Sequence, residues 1–561
     1  MSIKRNIDDH FAHSPTPHYP RSRFDMGILK RLQTQTHGRL YPFFCRMVYP
    51  GDTWKMDLST FVRMDTSAAV PLDDIFLDTY FFFVPLRIID QDFPKVLGEG
   101  EPEDYDDVSY GIPQLTLDSL DEHTINDLLP YLGYAQKDAT VNSSTHIYYF
   151  NYDDEICPYP MAAYYKIYND WFRDENLDSS IPYTDLYNDS WNSVVENSAL
   201  FDYGQCLRVN RYHDYFASAM IAPQKGPAVT IPLGTSAPVG VDLSIPATLG
   251  NNISNGVISK AGSYSAGSFV PVFTGSITTP ADPYVADLTN AAGTINELYL
   301  AMAIQSLYTK RATFGTRYIE TIRGQWGIDV PDSFFLRPEY LGGSRVTLNN
   351  VPVLSTENSS KLGNMAGNSS TLANGGSFTK TFIEYGLLLG LACTRVKHSY
   401  MQGKRKELFS LKTHLDLYNP VYCNIGPQPI MRNEICNRGT QDKDVVFAYQ
   451  EAWANLRSDV DTYCGLFGNV SEDNSLKTKW HYGDIYVGVP SFNATWLKEH
   501  PQNVSRTLTG TLIAGAPGDD DDDSLQQVNE GHQFMFGFYY HPVVTRVMSS
   551  RSQVPELFGR L

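Results

Sequence analysis

The fold class is decided by one alternating stretch near the start of the chain, TWKMDLSTFVRMD, residues 53–65. Its apolar residues alternate with polar ones: Trp54, Met56, Leu58, Val62 and Met64 with Lys55, Asp57, Ser59, Arg63 and Asp65. A period of two is that of a strand with one face in a core and the other in water. The stretch therefore predicts a half-buried antiparallel β-strand.

Strand patterns also lie further along the chain and near its other end. Residues 77–84, LDTYFFFV, are too short for a helix and stop at Pro85, which predicts a strand buried on both faces. Residues 534–540 again alternate aromatic side chains, whereas residues 160–177 and 294–314 have helical patterns. Strands at both ends with helices and long loops between them predict a β-sandwich with expanded connections.

The composition excludes several classes of protein. The 561 residues are 42% hydrophobic and 13% aromatic, which excludes a disordered chain and predicts several domains or one domain with large insertions. The best apolar stretch, residues 386–394, is too short to span a membrane, so no membrane insertion is expected. The seven cysteines include no C-x-x-C pair, and the N-terminal residues have no apolar signal core. We expect reduced thiols, no zinc and a protein kept in a cytoplasm.

The charge is distributed unevenly. The chain carries a net charge of -19, yet residues 1–40 hold seven cations against three Asp residues. A basic segment on an acidic body is typical of a tail that contacts a polyanion. On charge alone, a solvated N-terminal extension is the stronger interpretation, because a charge of +4 is small. The candidate phosphate-binding residues are Lys4, Arg5, Arg21, Arg23, Lys30, Arg31 and Arg39.

Two segments are poor in charge. Residues 228–292 carry four charges in 65 residues, and residues 342–378 have a similar composition dominated by Gly, Ser, Thr and Asn. A connection of this length within a compact fold is usually functional or disordered, and its Val, Ile and Pro content favours ordered structure. We expect residues 228–292 to form an exposed protrusion and residues 342–378 to form a low-charge loop.

An acidic run near the C-terminal end offers a candidate metal site. Five consecutive carboxylates repel one another, and a hard cation such as calcium would stabilise them if other oxygens converge there. The run lacks the Gly and Glu positions of an EF-hand loop, so a solvated acidic loop is the stronger interpretation. Its residues are Asp519, Asp520, Asp521, Asp522 and Asp523.

No catalytic pattern is present. The sequence contains no G-x-S-x-G, P-loop, G-x-G-x-x-G or H-E-x-x-H motif, and its thirteen histidines are scattered. Aromatic and acidic residues on a β-sandwich leave a carbohydrate-binding protein or glycosidase as the alternative function. We expect no enzyme activity and no cofactor, with calcium as the open exception.

Eight strings in one order resemble the major capsid protein of the Microviridae, the small icosahedral single-stranded DNA bacteriophages, and in particular its gokushovirus branch. The strings are YPGDTWKMDLSTFVRM (49–64), LDTYFFFVPLR (77–87), IYNDWFRDENL (167–177), DYFASAMIAPQKGPAV (214–229), RYIETIRGQWGIDVPD (317–332), RPEYLGG (337–343), SYMQG (399–403) and FAYQEAW (447–453). Several long strings in one order are more specific than any single motif, and the resemblance covers the chain from about residue 20 to its end.

The resemblance implies a mainly β fold, an eight-stranded antiparallel viral jelly roll with large loop and helical insertions. It implies that residues 1–40 are a basic arm facing the interior and that residues 41–561 are the capsid domain. About sixty copies would form a T=1 shell around circular single-stranded DNA. The implied location is the virion capsid, assembled in the cytoplasm of a bacterial host.

The resemblance also implies partners. They are other copies of the chain, the genome, a small basic DNA-binding protein, an internal scaffolding protein, a DNA pilot protein and a host cell-surface receptor. The insertion at residues 228–292 would form protrusions at the three-fold axes and attach to the host. Its candidate receptor residues are Ala228, Asp242, Lys260, Tyr264, Phe269 and Ala292.

Overall fold

The computed structural model divides the chain into two compact units. Residues 224–326 form one unit, called here the insert unit, and residues 1–223 with 327–561 form the other, called the body. The described residues are 20–99, 111–116, 128–134, 138–141, 148–151, 155–184, 205–230, 239–241, 284–286, 295–349, 353–354, 365–367, 369–437, 444–468, 476–508 and 531–550.

Two facing sheets build the core of the body from nine of the described strands. The strands are β1 (Ser22–Asp25), β2 (Leu29–Gln35), β3 (Tyr41–Val48), β4 (Thr53–Met64), β5 (Ile75–Pro85), β6 (Glu339–Leu348), β7 (Ser369–Thr381), β8 (Gly386–Val396) and β9 (Phe534–Arg546). One sheet, called here the terminal sheet, has β1 and β2 on one side of β9, followed by β4 and β7. The other, called the central sheet, has the order β6, β5, β8 and β3.

Strand β4 shows the alternation of buried and exposed side chains expected for residues 53–65. Its side chains at Trp54, Met56 and Leu58 are at most 4% exposed, whereas Lys55 and Asp57 between them are exposed. Strand β5 is buried along most of its length, because the central sheet is covered on both faces. The predictions of a half-buried strand and of a fully buried strand are both confirmed.

The path of the chain gives the fold class. From β2 to β5, consecutive strands alternate between the terminal and central sheets, and β6 to β9 alternate in the same way. All pairings within the two sheets are antiparallel. Strands that cross between two packed sheets instead of forming hairpins define a jelly roll. The predicted fold class, mainly β with an antiparallel jelly roll and large insertions, is confirmed.

Aromatic side chains fill the space between the sheets. The Phe43 ring of the central sheet stacks on Phe538 of the terminal sheet at 4.5 Å and meets the edge of Phe81 at 5.5 Å. Phe81 in turn contacts Phe378 of β7 at 5.0 Å. Aromatic pairs of this kind contribute about 0.5–1.5 kcal/mol beyond their buried area. The alternating aromatics near both ends of the chain are therefore partners in one core.

Strands β6 and β7 occupy most of the described part of residues 342–378, so the predicted loop does not include residues 342–348 or 369–378. Glycines in these two strands have another cause, which is close packing of backbone at the corner where the two sheets meet. A Cβ on Gly376 would lie 2.8 Å from the Cα of Gly343, and a Cβ on Gly343 would collide with the carbonyl oxygen of Thr79. Small residues are required there because two backbones touch.

A helix covers the outer face of the central sheet. Helix α1 (Tyr159–Ile167) continues into a π-helical turn, Tyr168–Phe172, and packs on β5 and β8. The Tyr164 hydroxyl donates to the carbonyl oxygen of Leu40 at 2.8 Å. The helix was predicted to reach residue 177. It ends earlier because Asp174 accepts from the backbone N–H of Asn176 at 2.8 Å, which makes a turn.

The described part of the insert unit contains two helices. Helix α2 (Ile295–Phe314) confirms the predicted helix, and α3 (Tyr318–Trp326) follows it. Gly315, at a φ of +90°, separates them. Val239–Val241 pairs with Tyr284–Ala286 in a short antiparallel ladder. No helix in the described part of the chain combines the length and apolar character needed to cross a membrane.

Short elements make up the rest of the described body. The helices are Leu86–Ile89, Phe93–Val96, Leu128–Leu132, Lys406–Ser410, Arg432–Ile435, Ala494–Leu497 and Gln502–Ser505. The 3-10 turns are Asp332–Phe335, His414–Asp416, Pro420–Tyr422, Ala454–Leu456, Gly465–Gly468 and Leu476–Trp480. The short ladders pair Leu115–Thr116 with Glu155–Ile156, Asp138–Val141 with Tyr148–Asn151, Val353–Leu354 with Met365–Gly367, Ser399–Tyr400 with Asp461–Thr462, and Gln428–Met431 with Val446–Gln450.

Candidate nucleic-acid interface

The solvent side of the terminal sheet is called here the outer face. The alternation of the strands shows which residues lie on it. Because successive side chains point to opposite sides of a sheet, the positions between the core residues of β4 face outward. The strand register extends this face across β1, β2, β9 and β7. Its functional candidates are Arg23, Asp25, Lys30, Leu32, Lys55, Asp57, Phe61, Arg63, Leu372, Tyr539 and His541.

The outer face is locally basic on an acidic chain. It presents four cations, Arg23, Lys30, Lys55 and Arg63, against the carboxylates Asp25 and Asp57. The whole chain, by contrast, carries a net charge of -19. A local excess of positive charge attracts phosphate groups through a sequence-independent interaction.

Aromatic and apolar side chains lie among these cations. The register places Leu32 beside Gly537, Gly537 beside Phe61, and Phe61 beside Leu372 in one row across four strands. The guanidinium carbon of Arg63 lies 5.4 Å from the centroid of the Phe61 ring. Leu32 and Leu372 are 66% and 74% exposed. Rings flanked by cations bind single strands because unpaired bases stack on the rings and phosphates contact the cations.

The ion pairs of the outer face leave its cations accessible. Lys55 Nζ lies 3.4 Å from Asp57 Oδ2, and their side chains are 57% and 50% exposed. His541 Nε2 lies 2.7 Å from Asp25 Oδ1, also at the surface. The backbone N–H of Gly27 and then His541 hold the pKa of Asp25 below its usual value. Water screens such pairs, so a phosphate can replace a carboxylate as the partner of a surface cation.

Three of the predicted basic residues belong to this part of the surface. Arg23 lies in β1 and Lys30 in β2, both exposed on the outer face, and Arg21 is exposed just before β1. Lys4 and Arg5 lie outside the described residues. Lys55, Arg63, Phe61 and Tyr539 also belong to the outer face and were not among the predicted residues. A signal for the first three was present, because they are outward positions of the stretch from 53 to 65.

Two of the predicted phosphate contacts are wrong, because their guanidinium groups are used inside the body. Arg31 donates to the carbonyl oxygens of Pro130 at 3.1 Å and Tyr131 at 2.5 Å, at the end of a short helix, and burial lowers its pKa. Arg39 is 4% exposed and donates to the carbonyl oxygen of Cys206 at 2.9 Å. Both cations satisfy buried backbone oxygens.

The boundary of the predicted arm, residues 1–40, is also corrected. Residues 22–25 and 29–35 are strands that pair with β9, and Leu40 is fully buried. The physical reason is that β9 needs hydrogen-bond partners on both sides, and β1 and β2 supply those on one side. An arm detached from the sheet can therefore include only residues before Ser22.

The other predicted sites fall mostly outside the described residues. This applies to Asp519, Asp520, Asp521, Asp522 and Asp523, and to Asp242, Lys260, Tyr264, Phe269 and Ala292. Ala228 is described and exposed. Among the residues that the structure describes, no group of three or more His, Cys, Asp or Glu side chains is placed to hold a metal ion.

A buried ionic cluster holds the segment after β2 against the C-terminal part of the body. Its members are His37, Arg211, His398, Asp484 and Glu499, whose side chains are at most 1% exposed. Glu499 Oε2 lies 3.2 Å from Nε2 of both His37 and His398. Asp484 accepts from Arg211 Nη1 at 2.8 Å and lies 2.9 Å from His398 Nδ1. The cluster thus joins four distant parts of the sequence and fixes the end of β2, next to the outer face.

The protonation states of this cluster follow from its contacts. Burial alone would raise the pKa of Asp484, but Arg211 and His398 hold it well below its usual value. Burial and Arg211 would lower the pKa of His398, but Asp484 and Glu499 raise it to about 9. The pKa of Glu499 is likewise lowered, because the two histidines outweigh its burial. Two carboxylates therefore face a guanidinium and a protonated imidazole at neutral pH.

Comparison with known proteins gives a consistent result. The sequence profile of a family described as "Capsid protein (F protein)" matches residues 12–514. Capsid protein VP1 of Spiroplasma virus 4 is 33% identical over 521 residues, which cover 88% of this chain and 90% of the relative. Capsid protein VP1 of Bdellovibrio phage phiMH2K is 32% identical, covering 90% and 93%, and that of Chlamydia phage 1 is 27% identical, covering 88% and 92%.

Proposed function

Because the chain belongs to the capsid protein (F protein) family, we propose that about sixty copies of it close into a T=1 icosahedral shell around circular single-stranded DNA. As a member of that family it is a major capsid protein of the Microviridae, structural rather than enzymatic. It is located in the virion capsid and assembles with copies of itself. The alternative of a glycosidase is thereby set aside.

The observation that carries the DNA-enclosing part of this proposal is the outer face. It combines four cations with the half-buried rings of Phe61 and Tyr539 on an otherwise acidic chain. In the proposed shell, this solvent side of the sheet is directed toward the interior of the particle. Phosphates there contact Lys30 and Arg63, and unpaired bases stack beside Phe61. Lys4 and Arg5, which lie outside the described residues, stay predicted phosphate contacts.

Charge supports a further basic partner. Residues 1–40 have a net charge of +4 and the rest of the chain -23, as counted along the sequence. A shell of such subunits does not neutralise a packaged genome, and a small basic DNA-binding protein would. The proposal also includes an internal scaffolding protein and a DNA pilot protein, with assembly in the cytoplasm of the bacterial host.

Host attachment is assigned to residues 228–292. They lie within the insert unit, Gln224–Trp326, which is compact in its own right. Only four of these 65 residues are charged, so three copies can meet at a three-fold axis without strong repulsion. In this proposal the protrusion contacts a cell-surface receptor. No cofactor is included, and calcium at Asp519 to Asp523 stays a prediction.

The test of the shell is to express the chain alone and with the small basic partner, then to measure particle mass by light scattering and to image the fractions. The expected result is uniform shells of roughly 250–300 Å, the size for about sixty subunits of this mass. A monomer under every condition, also with the scaffolding protein, would contradict the proposal.

The test of the outer face compares two double variants with the same change in charge. In Lys30→Glu with Arg63→Glu, both cations of the face are reversed. In the control, Lys397→Glu with Arg457→Glu, two cations elsewhere on the body are reversed, which are 67% and 61% exposed. We expect the first variant to form shells of normal size with at least threefold less DNA, measured by absorbance at 260 and 280 nm. Equal DNA content in the two variants would remove the outer face from the proposal.

A further inference from the structure

The body carries an apolar strip that no other described segment covers. Residues 406–425 carry seven large apolar side chains that are at least 49% exposed: Leu408, Leu411, Leu415, Leu417, Tyr418, Val421 and Ile425. Leu408 and Val421 reach 80% and 83%. A monomeric soluble protein rarely leaves so many apolar side chains together in water, and such patches usually mark interaction surfaces. We call residues 404–425 the apolar strip, including two flanking cations.

The strip is held in a defined shape by its own polar groups. Asp416 accepts from the backbone N–H of Thr413 at 2.7 Å and of Lys412 at 3.0 Å. Asn419 caps the next turn by accepting from the backbone N–H of Val421 at 3.0 Å. The apolar side chains are therefore exposed on an ordered surface and not on an unfolded segment.

The strip is also fastened to the body. The Trp453 indole N–H donates to the carbonyl oxygen of Tyr422 at 2.9 Å. The same ring meets Tyr418 edge to face, with centroids 5.4 Å apart. Lys406 Nζ donates to the carbonyl oxygen of Pro429 at 3.1 Å. A surface that is ordered before binding loses less conformational entropy when a partner covers it.

We propose that a second copy of this chain covers the apolar strip, so that the strip is a contact between neighbouring subunits. This inference rests on the proposed function in one respect, the self-assembly that a capsid protein requires. The size is suitable, because a standard interface uses about 20–30 residues on each side. The anchors are Leu408 and Val421, which project furthest into water.

Charge also favours another copy as the occupant. Within residues 404–425 the sequence holds four cations, Lys404, Arg405, Lys406 and Lys412, against the acids Glu407 and Asp416. The strip is thus net positive, while the chain as a whole has a net charge of -19. A basic strip on one subunit is attracted to the acidic surface of the next, which gives a head-to-tail contact of the kind that closes into rings.

The first experiment measures the concentration at which full-length protein assembles, by sedimentation and light scattering. The variant is Leu408→Ser with Val421→Ser. The matched control is Leu72→Ser with Ile383→Ser, two side chains elsewhere on the body that are 70% and 86% exposed. We expect the strip variant to need at least tenfold more protein to assemble, with a melting temperature of the monomer within about 1 °C of wild type, because exposed side chains contribute little to folding. Assembly of the strip variant at the wild-type concentration would overturn the proposal.

The second experiment separates this proposal from the proposed function. Cys423 lies in the strip and Cys464 outside it, and both are exposed free thiols. In a Cys464→Ser background, the rate at which a maleimide labels Cys423 is measured at increasing protein concentration. At least tenfold protection at high concentration is expected, even if only small oligomers form and the T=1 shell does not. Shells in which Cys423 is labelled as fast as in the monomer would refute the proposed contact at the strip, whereas the proposed shell would still stand.

Discussion

Replacement of Asp484 by Asn tests the physical account of the buried ionic cluster. The Asp484 carboxylate accepts from Arg211, Tyr486 and Asn503, each at 2.8 Å, and pairs with His398 at 2.9 Å. Asn keeps the shape but removes the charge and turns an NH₂ group toward these donors. Arg211 is then a buried cation without its closest counter-ion, stacked at 4.2 Å over Trp496. Breaking a buried pair in this way costs about 3–5 kcal/mol.

The expected loss of stability can be measured as a fall in the melting temperature. At roughly 2 °C per kcal/mol, the low end for a large domain, the loss is about 6 to 10 °C. The matched control is Asp461→Asn, which breaks the surface pair with Lys397, whose partners are 50% and 67% exposed. Pairs of that kind contribute about 0–1 kcal/mol, so the control should melt within about 2 °C of wild type.

The assay is calorimetry or differential scanning fluorimetry of the dissociated protein at pH 7. A second variant, Arg211→Met with Asp484→Leu, removes both charges and should recover part of the loss, because no uncompensated ion remains. If Asp484→Asn melts within about 1 °C of wild type, the cluster does not carry the electrostatic energy that its geometry implies.

Two further predictions concern protons and glycines. The pKa of His398 is raised to about 9 in the folded chain, so its stabilising proton is fully present below the unfolded pKa of about 6.5 and is lost as pH rises through 9. Stability should fall by on the order of 3 kcal/mol across that interval, and the difference between wild type and His398→Gln in a pH series of melting temperatures measures it. Gly343→Ala should destabilise the body by about 3 kcal/mol or more, because the new Cβ collides with the Thr79 carbonyl, whereas Gly111→Ala meets nothing within 4 Å and should change the melting temperature little.

Local periodicity predicted the strands well because apolar and polar residues alternate directly in a sheet that has one face in the core and one in solvent. The stretch from Thr53 to Met64 and the aromatics from Phe534 to Tyr540 are neighbours in one sheet, as their alternation required. The same reasoning could have given three residues of the candidate interface, since Lys55, Phe61 and Arg63 are outward positions of that stretch. Composition was less reliable. Gly343 and Gly376 lie where two backbones meet at a corner, and the sequence does not distinguish a corner from a loop.

Long-range pairing explains what could not be predicted. Arg31 and Arg39 differ in no local feature from Arg23, yet they cap backbone carbonyls from Pro130, Tyr131 and Cys206 while Arg23 is exposed. His37 and Glu499 contact each other across 462 positions of sequence. A single sequence carries no periodic signal for such contacts, because each depends on how several distant segments pack together.

The position of β9 has a consequence for the time course of synthesis. Strand β9 lies between β2 and β4, although about 470 residues separate it from β4 along the chain. At about 5–20 residues per second, a ribosome needs about 25 to 95 s to make that interval. During this time the edges of β2 and β4 that will pair with β9 have no partner, and unpaired strand edges are templates for aggregation. Closure of the terminal sheet is therefore a late event in synthesis, and the edges of β2 and β4 stay unpaired until β9 has been made.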